Sequence, residues 1–176
     1  MKKYFFLFGF TTLAFSFLIQ AKNAGNDTLP KKHGQLMAKA NSFFSTYKSG
    51  IDAQVKRTER RASKPGQGIA GAMSQIIMYR EDSIFYQKII QKGDSLSVLL
   101  KEHDEILLTQ EKGELIEKFL IESAKNIDKV NWVITYAKDL QKQVDKRLKN
   151  LYKVLKEMRD DLAKQESRQE RKKQKK

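Results

Sequence analysis

The sequence predicts an all-α fold: an elongated helical hairpin or three-to-four-helix bundle with coiled-coil character, following an N-terminal signal peptide. Three observations carry this. Among 176 residues there are only two prolines and nine glycines against 32% charged residues, the composition of long helices with few turns. Apolar residues recur at threes and fours along most of the chain. No segment alternates apolar and polar residues for more than a few positions, so strands are not expected.

The first element is residues 1–21. Met1-Lys2-Lys3 is basic, the sixteen residues from Tyr4 to Ile19 carry no charge, and Ala21 is small. That order is the layout of a secretory signal peptide cleaved after Ala21, and it implies export to the periplasm or beyond the cell. A retained anchor is the alternative, but a spanning helix needs about 20 apolar residues, and Gly9, Thr11, Thr12 and Ser16 weaken this core. The chain has no cysteine, which excludes lipid attachment and disulfides and leaves packing as the source of stability.

Residues 22–34, with Gly, Asn, Asp and Pro, read as an extended lead-in. The helical body is expected over residues 35–163. Leu36, Ala40, Phe43, Phe44, Tyr47, Ile51 and Val55 form one helical face, and Pro65-Gly66-Gln67-Gly68 ends it. Met73, Ile76, Ile77, Ile84, Phe85, Ile89 and Ile90 mark a second helix, with a break expected at Gly93-Asp94-Ser95, where a glycine precedes a capping residue. Leu99, Leu100, Leu107 and Leu108 carry a third, closed by Lys112-Gly113.

The last helix has a nearly continuous stripe from Leu115 to Leu162 and no Gly or Pro after Gly113. Leu148, Leu151, Leu155, Met158 and Leu162 follow the three-four spacing of a left-handed coiled coil. They are assigned as a helix-partner face, long enough to call for a second copy of the chain. Residues 164–176, lacking large apolar side chains, read as a disordered basic tail.

Charge is uneven. Residues 31–64 hold nine basic and two acidic side chains, residues 65–125 seven and ten, and residues 164–176 seven and two. Lys56, Arg57, Arg60, Arg61 and Lys64, with Arg171, Lys172, Lys173, Lys175 and Lys176, are the candidate contacts for an anionic membrane surface or polysaccharide. No aromatic residue interleaves the first cluster, so base stacking is not built in, and nucleic acid fits only within a DNA-transfer system.

Chemistry-bearing motifs are sparse. His33 falls in the lead-in. His103 finds no ligand at helical neighbour spacing, where Leu99, Leu100 and Leu107 stand, so it reads as a surface histidine with no metal site. Gly66, Gly68 and Gly71 lack the strand and the Lys-Ser or Lys-Thr of a phosphate loop. Neither catalytic residues nor cofactors are assigned. Gly66–Met78 carries no charge and reads as a tight bend that lets helices approach, or as a membrane-inserting tip.

In outline the chain resembles basic periplasmic holdase chaperones, and also minor pilus components of type IV secretion systems; no residue motif accompanies either resemblance. The expectation is an exported, non-enzymatic helical binding protein, a component or accessory of an envelope assembly. A holdase chaperone and a secreted effector or membrane-active toxin are the alternatives. Expected partners are other proteins, including a second copy of itself.

Overall fold

A computed structural model describes residues 28–63 and 66–173. Those residues are all-helical, without strands: α1 spans Thr28–Ala62, α2 Gly68–Leu108 and α3 Glu114–Lys173. The expected signal peptide and its cleavage site lie outside the described residues, as do Lys64, Lys175 and Lys176. Among the described residues no helix is long and apolar enough to cross a membrane.

The chain divides into two units after Lys39. In the first, residues 28–39 are the opening turns of α1, and His33 and Met37 are buried. Residues 28–34 are therefore helical rather than extended. Pro30 is no obstacle, because it lies in the first turn, where a missing N–H breaks no helical bond.

The second unit, from Ala40 onward, packs three helices. The bond between Ser97 and Asn131, from Gln141 to Ser83 and from Arg147 to Tyr79 step down α2 as they climb α3, so these two run antiparallel. The remainder of α1 is antiparallel to α2, with Phe43 against Gly93 and Thr58 bonded to Asp82. It runs parallel to α3, with Asn41 accepting from Lys129 and Phe44 edge-on to Trp132. Ala40, Phe43 and Ile51 of α1 are buried, as are Ile89, Leu96, Leu100 and Leu107 of α2 and Val130, Val133, Ile134 and Ala137 of α3.

The break expected at Gly93-Asp94-Ser95 is absent: α2 is continuous for 41 residues. Gly93 is instead a packing site. A methyl placed there would stand 2.5 Å from Ile134 Cγ1 and 3.0 Å from Phe43 Cζ, so only a glycine lets all three helices meet at this level. Because α2 does not break, it reaches back along α3 as far as Leu155, where Ala72 and Ile76 close on Leu155 with Ile69, Leu148 and Leu151 alongside.

The turns follow their sequences. Gly68 has φ 65°, the left-handed region glycine enters without steric cost. A Cβ on buried Gly71 would collide with the carbonyl oxygen of Gly66, so the small residues here serve the bend. Residues 109–113 form the second turn, with Thr109 Oγ1 donating to the Ile106 carbonyl. Glu114 and Glu117 then place negative charge in the first turn of α3, where the helix dipole favours it.

The three helices end at different levels. Beyond Ala62, α2 and α3 continue as a pair. Beyond Met158, α3 continues alone, every side chain from Arg159 to Arg171 exposed. Helix thus extends through Lys173 into the residues expected to be a disordered tail. The absence of Gly and Pro, with good helix formers at most positions, supports it.

Replacing Gly93 with alanine should lower stability by about 1–3 kcal/mol through overpacking, even though alanine is about 1 kcal/mol better than glycine in a helix. Gly50→Ala is the control, because its Cβ would lie at an ordinary 3.6 Å from Phe85 Cζ. It should be neutral or stabilising by up to about 1 kcal/mol. Urea unfolding followed by circular dichroism checks both; equal midpoints for the two variants contradict the packing assignment.

Candidate functional site

The candidate basic residues of α1 from Lys56 to Arg61 occupy its last two turns, where cations also complement the helix dipole. Lys56, Arg57, Arg60 and Arg61 are all exposed. Arg61 Nη1 lies 3.8 Å from Glu81 Oε2 on α2, a loose surface pair that neutralises little of the cluster.

Folding brings a second basic run beside the first. Arg147 of α3 donates to Tyr79 Oη at 2.9 Å, its guanidinium 5.5 Å from the centre of that ring. Tyr79 is two residues from Glu81, so Arg61 and Arg147 flank the same turn of α2. Lys146, Lys149, Lys153, Lys156 and Arg159 continue along exposed positions of α3. At this end, residues 56–63, 66–81 and 145–161 carry eleven basic and six acidic side chains. The rest of the packed helices, residues 40–55 and 82–144, carry ten basic and twelve acidic. The second unit is electrostatically polar along its length.

Two open depressions adjoin Arg60 and Arg61. One, of about 480 Å³, also touches Gly66, Ser74, Ile77 and Glu81; the other, of about 490 Å³, touches Ala53, Lys56 and Arg57. They offer charge without an enclosing wall, which suits an extended anionic surface better than a small substrate.

Of the distal basic candidates, Arg171 is exposed on the free end of α3 and Lys172 and Lys173 belong to its last turn. Part of the expected helix-partner face packs within the chain. Leu155 is buried, and Leu148 and Leu151 are partly buried, against α2 of the same chain. The unbroken α2 covers this face as far as Leu155, and Leu162 is exposed.

Both histidines are buried, not on the surface. His103 continues the inward face of Leu96, Leu100 and Leu107, the periodicity that could have located it. Among the described residues no group of three His, Asp or Glu side chains is placed to hold a metal ion.

A buried polar cluster was not anticipated. Asp82, 1% exposed, accepts from Gln54 Nε2 at 2.5 Å and from Thr58 Oγ1 at 2.7 Å. These bonds fix the register of α1 on α2 immediately before the basic turns. Burial first, then the Asp82 carboxylate and Tyr136, push the Tyr86 hydroxyl up to about 12. The signal was Asp82 falling in the α1-facing series of Met78, Phe85 and Ile89, an acid where an apolar residue was due. An aromatic cluster joins α1 and α3: Trp132 packs between Phe44 and Tyr136, with Lys48 Nζ about 6 Å from both the Phe44 and Trp132 rings.

Comparison with protein-family models, curated proteins and solved structures finds no match for this chain.

Tyr86 gives a pH test of the buried cluster. Its hydroxyl holds its proton to about 12 when folded but releases it near 10 when unfolded, so the unfolded state binds fewer protons between those values. Stability should therefore fall as pH rises from about 10 to about 12, and Tyr86→Phe should lessen that fall. Asp82→Asn should lower the ionisation from about 12, with burial still holding it above 10. Urea midpoints and tyrosinate absorbance across this range check the assignment; a tyrosine population that titrates uniformly near 10 contradicts it.

Proposed function

We propose that this chain is an exported, non-enzymatic binding protein, a component or accessory of an envelope assembly, whose working surface is its basic end. The observation that carries the reading is the convergence of Lys56, Arg57, Arg60 and Arg61 with the Lys146–Arg159 run at one end of the packed helices. Such a field draws anionic partners and orients the molecule toward them. The open depressions beside Arg60 and Arg61 are consistent with contact over an area.

The basic run at the start of the signal peptide and the small residue at Ala21 support export. The three-four spacing of Leu148–Leu162 gives this end coiled-coil character, here used chiefly within the chain. The free stretch of α3 beyond Met158 extends the charged surface outward by on the order of 20 Å at 1.5 Å per residue.

Position of charge, rather than its total, is the testable content. Arg57→Glu, Arg60→Glu and Arg61→Glu together should sharply reduce retention of the mature chain, from Lys22, on a polyanionic matrix. Lys101→Glu, Lys118→Glu and Lys125→Glu make the same change in net charge at exposed positions elsewhere and should reduce it much less. Elution at the same salt concentration for both triple variants contradicts a localised surface.

A further inference from the structure

The outer ridge of α2 joins this basic end and is apolar where a solvated ridge would be polar. Ala70, Met73, Ile77, Arg80 and Ile84 follow one another at spacings of three and four, and all are exposed. Met73 is 45% exposed, Ile77 58% and Ile84 53%. They lie opposite the face on which Asp82 meets α1, so the packing of α1 and α3 leaves them in water. The first half of this ridge belongs to Gly66–Met78, which carries no charge. Arg80 interrupts the aliphatic residues, and Ile77 lines the same depression as Arg60 and Arg61.

We propose that this ridge docks on an anionic lipid bilayer. In this arrangement Met73, Ile77 and Ile84 enter the headgroup–acyl boundary while Arg80, Arg60 and Arg61 meet the lipid phosphates. The inference rests on reading the basic end as an anion-binding surface, and it names the partner. Aliphatic side chains flanked by arginines on a convex helix are the pattern of interfacial binding, where apolar burial and attraction to anionic headgroups add. A second copy is the poorer occupant, because joining two such ridges would bring Arg80, Arg60 and Arg61 of each against the same cations of the other. A bilayer supplies what the ridge lacks: a deformable apolar layer behind a sheet of negative charge. From Ala70 to Ile84 the ridge is about 21 Å long at 1.5 Å per residue, lying along the surface rather than across it.

The test uses the mature chain, from Lys22, with vesicles of phosphatidylcholine containing phosphatidylglycerol, vesicles of phosphatidylcholine alone, and soluble polyphosphate. The anionic vesicles and polyphosphate should bind, and neutral vesicles should bind weakly. Ile77→Ser with Ile84→Ser should weaken vesicle binding about tenfold or more through lost apolar burial while leaving polyphosphate affinity unchanged. Val98→Ser with Leu99→Ser, equally exposed on the same helix, should do neither. Because the chain has no cysteine, an environment-sensitive dye on Ile77→Cys reports insertion directly and should shift to the blue only with anionic vesicles. Vesicle binding by the Ile77/Ile84 variant equal to that of the parent chain overturns the inserted ridge. Polyphosphate binding without vesicle binding overturns the bilayer and leaves a soluble acidic partner for the basic end. Binding to neither probe overturns the basic-end reading together with this one.

Discussion

The close approach of three helices at Gly93 is the constraint on which the second unit depends. Ile134 and Phe43 occupy the space a side chain would need, so the three axes converge there. That contact explains why a glycine followed by a good capping residue does not end α2. An isolated Gly-Asp-Ser invites a break; a glycine pressed between two neighbouring helices is held helical by the packing around it. Continuity of α2 has two consequences. It covers the leucine stripe of α3 to Leu155, and it provides one continuous element against which both basic runs are aligned.

Polar contacts then set register where apolar packing alone would allow sliding. Asp82 takes two donors from α1, Gln141 reaches Ser83, and Arg147 both bonds and stacks on Tyr79. A buried carboxylate is tolerated because its bonds are made; its loss of water is offset by charge-assisted acceptance from Gln54 and Thr58. These contacts lie along the half of α2 that leads to the basic end. The same interactions that specify the fold thus bring like charges together, an arrangement that costs stability through repulsion and is consistent with an anionic partner.

Much of this was legible in the sequence. Composition and periodicity indicated an all-helical chain, and the Pro65–Gly68 and Lys112–Gly113 boundaries fall where helices end. Phe119, Val130, Val133, Ala137, Val144 and Leu155 of the α3 stripe are buried as expected, whereas Ile134, one position beside the stripe, is buried without having been part of it. Where the reading failed, the local pattern was compatible with two environments. Met73, Ile77 and Ile84 were grouped with Ile76 and Ile89 as one face, yet angular position separates an outer ridge from an inner one. Gly93 could not be distinguished from a helix stop, because its role depends on Ile134, forty-one residues away, and on Phe43. Arg147 likewise gave no local sign that it would stand across α2 from Arg61.

The juxtaposition of the two basic runs is the central claim, and a distance measures it most directly. With no native cysteine to remove, spin labels can be placed on Arg57→Cys and Lys146→Cys, both exposed. Neighbouring packed helices stand about 8–10 Å apart axis to axis, so electron–electron resonance should give one short, narrow distribution in the folded chain. A long or broad distribution, unchanged by urea, would show that α1 and α3 do not share this end of the protein.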